Sequence, residues 1–225
     1  AWMMPVEQKT QHIVRKGANA RTPPYYLATS GTGDLIFTLT LDGRAKQLRK
    51  IGYPVGAWSH VVGTYDGATM RLYVNAVEVN SFDIEGAIKE DNNPLLIGTR
   101  LGLASDTFAG ALDDVRIFDH ALSEEEISTL HLEEPGTFEP SGTEGVGLVA
   151  AYPLNGDADD ASDNAHHGTP QNGVNLEGNV GVFDGDDDHI VVPDAPGFDI
   201  TEAITLAAWM MPVEQKTQHI VRKGA

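Results

Sequence analysis

Carboxylates are the side chains whose density in this sequence could do chemistry. Asp157, Asp159, Asp160 and Asp163 crowd one short stretch. Oxygen-rich loops of little bulk suit Ca²⁺, which takes six to eight oxygens at roughly 2.3–2.6 Å. The stretch is not an EF-hand, because Ala161 stands at the fifth position and no glycine follows at the sixth. His166 and His167 are neighbours, and neighbouring side chains on extended backbone point to opposite faces, so the pair reads as loop hydrogen-bonding groups and not as a zinc site. Tyr25 and Tyr26 follow Pro23-Pro24 in a loop or at the start of a strand, where an exposed ring could stack on a sugar. Trp2, Trp58 and Trp209 each begin or end an apolar strand and read as core.

Catalytic arrangements are missing from the sequence. Retaining glycosidases place two carboxyl groups about 5–5.5 Å apart on one strand face, and no Glu-x-Asp-x-Glu run occurs. The dense cluster Glu124 to Glu126 belongs to a helix start, and there is neither a Ser-His-Asp order nor a phosphate-cradling glycine loop. The chain is therefore expected to be non-catalytic. Its formal charge of −18 makes nucleic acid and anionic membranes poor partners and cations good ones. No run of eighteen apolar residues is available for membrane insertion. With no cysteine, disulfides and thiolate metal sites are excluded, and an oxidising exterior is permitted.

The elements that must position these groups are mostly strands. Leu35 to Leu41 alternates as a half-buried strand and ends in Asp42-Gly43. Further strands are expected within Trp58–Gly67, Arg71–Val74, Val77–Ser81, Leu95–Gly98, Ala111–Phe118, Gly147–Leu154, Ile190–Val192 and Ile204–Trp209. Asn75-Ala76 separates two of them where a two-residue hairpin prefers Asn-Gly, because both positions need positive φ. One short helix is predicted from Ser123, with Glu126 completing a capping box. Glu133 to Gly145 is rich in proline, glycine and acidic residues and reads as a linker.

The chain also repeats itself. Ala1 to Ala18 and Ala208 to Ala225 are identical, which places 207 residues in one period of a tandem repeat. The segment carries Glu7, Lys9, Arg15 and Lys16, so one unduplicated period has a charge of about −20. A short strand is expected at His12 to Val14.

Read from Val146 through Ala207 and on into Ala1 to Leu132, the sequence resembles the bacterial laminin G-like, concanavalin A-like jelly-roll domains. Five stretches carry the likeness in order: Gly147–Leu154 with His166-His167-Gly168-Thr169; Phe183-Asp184-Gly185 with Ile190–Pro193; Thr205–Trp209; Trp58–Val61 with Thr64-Tyr65-Asp66 and Leu72-Tyr73-Val74; and Ala111–Phe118 with the helix. Asn75-Ala76 departs from the family's usual Asp-Gly or Asn-Gly. The resemblance implies an all-β fold, a two-sheet antiparallel jelly-roll sandwich with one short helix near the domain C-terminus. It implies a Ca²⁺ held by Asp113, Asp160 and Asp163 with the carbonyl of Gly185. The identity of the two copies favours an extracellular, cell-surface structural or adhesive fibre repeat, and the resemblance suggests carbohydrate binding to surface glycans as the alternative.

On this reading 1–132 is the C-terminal part of one domain, 133–145 the linker, and 146–225 the N-terminal part of the next copy. The partners expected are neighbouring copies, in a continuous array, a strand-swapped polymer or a circular permutant.

Overall fold

The computed structural model describes residues 23–99, 107–137, 146–213 and 219–223. The first copy of the repeated segment, with Trp2 and the strand expected at His12 to Val14, lies outside them, as does most of the 133–145 linker.

Two seven-stranded antiparallel sheets make a sandwich. The first sheet contains β1 (Tyr25–Thr29), β2 (Asp34–Leu41), β3 (Arg44–Ile51), β7 (Leu95–Ile97), β10 (Thr169–Gln171), β12 (His189–Val192) and β14 (His219–Lys223), in the order β10-β12-β7-β14-β1-β2-β3. The second contains β4 (Ser59–Tyr65), β5 (Thr69–Val74), β6 (Val77–Asp83), β8 (Ala109–Phe118), β11 (Gly181–Asp184) and β13 (Ile204–Pro212), in the order β11-β8-β13-β4-β5-β6. The remaining strand, β9 (Leu148–Tyr152), pairs the second half of β8, while β11 pairs its first half. The expected all-β jelly-roll sandwich with one helix is the fold observed.

Apolar side chains from both sheets fill the space between them, including Phe37, Leu72, Phe108, Val115, Phe183 and Ile220. The sheets approach closely at Gly63, where a Cβ would lie 2.5 Å from the Phe37 ring. β2 was expected to be half buried, yet all eight of its residues are buried. Its outward residues are covered from the neighbouring strand, where Gln47 Nε2 donates to Thr38 Oγ1 at 3.1 Å. β3 itself, RAKQLRKI, is an edge strand with one buried side chain, Leu48.

The hairpin between β5 and β6 turns through Asn75 and Ala76, both at positive φ (51° and 62°). The departure from the family pattern therefore sits in the strained conformation that Asn-Gly would ease. Helix α1 (Glu124–Leu132) starts at the predicted capping box: Ser123 Oγ accepts from Glu126 N, and the Glu126 carboxylate accepts from Ser123 N. α1 lies on the outer face of the second sheet, where Ile127 and Leu122 pack with Val62, Tyr73, Phe118 and Ala207 in a second, smaller core.

The second copy of the repeated segment is built into the middle of both sheets. Its Ala208–Pro212 is the second half of β13, between β4 and β8, and its His219–Lys223 is β14, between β7 and β1.

Candidate functional site

Among the described residues, acidic oxygens converge at the turn between β11 and β12. Oxygen atoms of Asp184, Asp187 and Asp188 lie within 4.8 Å of one another. The turn opens at Gly185, whose φ of +84° suits a residue without a Cβ. Asp184 N donates to Asp188 Oδ2 at 2.9 Å and Asp186 N to Asp184 Oδ1 at 2.8 Å. The carbonyl of Asp187 accepts from Asn172 Nδ2 and His189 Nδ1. Asp188 is 4% exposed, and its Oδ1 is buried without a hydrogen-bond partner. Burial, then the like charges of Asp184 and Asp187, push its carboxyl above the usual range. A buried, unpartnered carboxylate oxygen beside two further carboxylates is a donor set that a hard cation fits. Of the ligands expected from the resemblance, only Gly185 lies in this turn; Asp184, Asp187 and Asp188 match no metal-binding spacing in the sequence.

The other expected ligands lie elsewhere. None of Asp113, Asp160 and Asp163 belongs to a close group of three or more acidic or histidine side chains among the described residues. Asp160 is buried, and its carboxylate accepts four hydrogen bonds: from Ala151 N and Ser162 N on Oδ1, and from Ser162 Oγ and His166 N on Oδ2. That fills a carboxylate's acceptor sites, so Asp160 ties the acidic loop to β9 and has no oxygen to spare. Asp163 is exposed. His167 Nδ1 accepts from Asp160 N at 3.2 Å and His166 Nδ1 donates to the Val149 carbonyl, the loop role expected of that pair.

Asp113 faces α1 from the outer side of β8. Its Oδ2 accepts from Gly136 N at 2.5 Å, just beyond the helix, and its Oδ1 has no hydrogen-bond partner. Complete burial raises its pKa to about 6. Around it lies a polar layer with no signal in the linear sequence. His60 on β4, Trp209 on β13 and His131 on α1 bring their rings within 5.2–5.7 Å of one another. Buried Arg116 bridges Asp114, at 3.6 Å, and Glu133 at the helix C-cap. Burial, helped by His131 and Arg116, lowers the His60 pKa to about 3. Trp209 is thus buried as expected, but beneath the helix and not between the sheets; Trp58 is half buried.

The tyrosines proposed as a sugar platform are core residues. Tyr25 is 0% and Tyr26 3% exposed. Tyr25 OH donates to the Phe198 carbonyl at 3.1 Å, and Tyr26 OH accepts from Gln47 Nε2 at 3.1 Å. The expectation fails because both rings lie within β1, a strand with neighbours on either side and packing on both faces.

Comparison with known proteins agrees with this architecture. A laminin G-type profile described as the concanavalin A-like lectin/glucanases superfamily matches residues 1–128, more than half of the chain. The chain belongs to this superfamily. Among solved structures, it is similar to an S-layer domain-containing protein (residues 221–444) from Clostridium thermocellum. The two are 25% identical over 58% of this chain and 67% of that one, with a TM-score of 0.29. A superposition that loose leaves the S-layer role with that protein. No curated protein sequence matches the chain. The matched residues end before the Phe183-Asp184-Gly185 stretch that leads into the acidic turn. No described helix is long and apolar enough to cross a membrane.

Proposed function

We propose that this chain is a non-catalytic structural and adhesive repeat working at the cell surface, with Ca²⁺ tightening the turn between β11 and β12. The observation that carries the reading is the placement of the repeated segment. The second copy of the repeated segment supplies half of β13 to one sheet and all of β14 to the other, so what is repeated there reads as framework and not as a ligand surface. An acidic, cysteine-free sandwich suits a cation-rich exterior. Asp184, Asp187 and Asp188 would hold the ion. It would supply charge neutralisation to three crowded carboxylates and a partner to the buried Asp188 Oδ1. Glycan binding is the weaker reading, because the aromatic pair that suggested it is buried.

Thermal unfolding with and without Ca²⁺ tests the proposal. At a hundredfold excess over the dissociation constant, binding stabilises by about 2.7 kcal/mol, a rise of about 5–10 °C for a chain of this size. Asp188→Asn should abolish the rise. A melting temperature indifferent to Ca²⁺, or a rise that survives in Asp188→Asn, removes the cation from this turn. Reproducible hits for the wild-type chain on a glycan array would overturn the purely structural role.

A further inference from the structure

Charge is divided across the width of the sandwich. Nine lysines and arginines stand among the described residues, and four of them, Arg44, Lys46, Arg49 and Lys50, are on β3, the edge of the first sheet. Arg49 reaches Asp34 at 3.4 Å. Arg44, Lys46 and Lys50 meet no carboxylate at ion-pair distance among the described residues. The edge strand of the facing sheet, β6, lies alongside, with Asn80 Nδ2 donating to the Arg49 carbonyl at 2.8 Å. Its carboxylates are engaged within their own sheet: Glu78 pairs with Arg71 at 3.8 Å, and Asp83 accepts from Thr69 Oγ1 at 3.0 Å. The β3 strip therefore keeps most of its positive charge.

The opposite flank has the reverse sign. There β9 and β11 border the second sheet, β10 borders the first, and β12 stands next to β10. Residues 148–192, which supply all four strands, contain nine aspartates and glutamates and no lysine or arginine. Asp160 and Asp188 are buried; the other seven, on these strands and the loops joining them, are exposed. The loop of Asp157, Asp159 and Asp163 is held against this edge, because Gly168 N, at the entry to β10, donates to the Ala158 carbonyl at 2.8 Å. Across the seven strands of the first sheet, steps of about 4.8 Å put β3 and β10 about 29 Å apart. That is more than three times the screening length of about 8 Å at about 0.15 M salt. The two sets of charge cannot neutralise each other within one molecule.

From this we infer that the partner of the β3 edge is a second copy of this chain, which presents its β9–β12 flank to the strip. The inference rests on the reading of the chain as a repeating structural unit and names the surfaces by which units meet side by side. The contact is made through side chains, because β10 has three residues with Pro170 in the middle and cannot extend a backbone ladder. The two surfaces differ, so the joint is heterologous and each copy keeps a free flank for the next. Both molecules carry −18, which opposes their approach. At about 0.15 M salt, screening over about 8 Å confines that repulsion to facing surfaces, and here cations face carboxylates. One such contact is weak; its strength in a repeat comes from many engaged together.

Sedimentation equilibrium of the full chain without Ca²⁺, in about 0.15 M salt and up to about 1 mM protein, tests the contact. The wild type should give a concentration-dependent series in steps of 24.2 kDa. Arg44→Gln/Lys46→Gln/Lys50→Gln, which spares the Arg49–Asp34 pair, should stay a single chain. So should Asp157→Asn/Asp159→Asn/Asp163→Asn/Glu177→Gln, which spares the turn between β11 and β12. Mixed, the two variants should form a pair of about 48 kDa and nothing longer, because one offers only the acidic flank and the other only the strip. Cooperative melting of each variant, expected near the wild-type temperature for changes at the surface, verifies its fold. A wild type that stays at 24.2 kDa, variants that assemble as the wild type does, or a mixture that does not pair overturns the inference. Assembly seen only with added dextran sulfate overturns it too, and assigns the strip to a soluble polyanion. Because Ca²⁺ is left out and its turn is unaltered, such a failure would leave the cation reading standing.

Discussion

Acid titration of two single variants probes the polar layer under α1. Folded His60 stays neutral down to about pH 3, whereas a histidine in the unfolded chain takes its proton near pH 6.5. The folded chain therefore binds fewer protons across that window. The stability this group contributes is complete above about pH 6.5 and is lost as the pH falls towards 3. Asp113 runs the other way. Its folded pKa is about 6 against about 3.9 unfolded, so its contribution is complete below about pH 3.9 and is lost as the pH rises through 6.

Each pH unit inside a window is worth about 1.4 kcal/mol, which makes His60 worth about 4–5 kcal/mol and Asp113 about 3 kcal/mol over their full ranges. Between about pH 6 and 4 the two slopes cancel. Single variants uncover them. His60→Phe loses no hydrogen bond at Nδ1, which has no partner, and keeps the backbone bonds to Asn75. Relative to wild type in urea unfolding at pH 7, 6, 5 and 4, His60→Phe should gain about 1.4 kcal/mol per unit of acidification below pH 6.5. Asp113→Asn should lose about as much per unit between pH 6 and 4, and the double variant should track the wild type. Difference curves flat to within about 0.3 kcal/mol per unit for both single variants would refute the assignment.

Three further substitutions address packing, turn and loop. Gly63→Val puts a branched side chain where even a Cβ would lie 2.5 Å from Phe37; urea midpoints should show a loss of about 1–3 kcal/mol, partly recovered by adding Phe37→Leu. Ala76→Gly relieves an alanine at φ 62° and should stabilise by about 0.5–1 kcal/mol, read as a higher melting temperature. Asp160→Ala leaves the amides of Ala151, Ser162 and His166 without their acceptor; a loss of about 2–4 kcal/mol is expected, with faster hydrogen exchange at those three amides.

Where one residue type settles a local geometry, the sequence was informative. Ser123 with Glu126 forecasts the capping box, and Asn75-Ala76 forecasts a turn with Ala76 under strain. Alternation locates β2, and the apolar run at 204–209 locates β13. β3 is not legible in the sequence because its buried face holds one apolar residue, Leu48, among cations, so no period of two shows. The acidic loop at 157–163 drew attention as a cation site, but nothing in the spacing reveals that backbone amides consume the Asp160 carboxylate. The layer of His60, His131 and Trp209 unites residues from three distant stretches, a proximity that only the pairing of β4 with β13 and the docking of α1 create.

The charged edge of the first sheet has a consequence for crowding. In a protein carrying −18 overall, Arg44, Lys46, Arg49 and Lys50 gather on one peripheral strand. Two molecules meeting along β3 would set these four cations against four more, which disfavours the open-ended ribbon that unpaired backbone invites. The same strip meeting any other, acidic part of a neighbour is attracted. At roughly 1 M salt, where the screening length shrinks to about 3 Å, both effects fade, and the hydrogen-bonding edge, of which Asn80 Nδ2 already covers the Arg49 carbonyl, becomes the dominant feature of that flank.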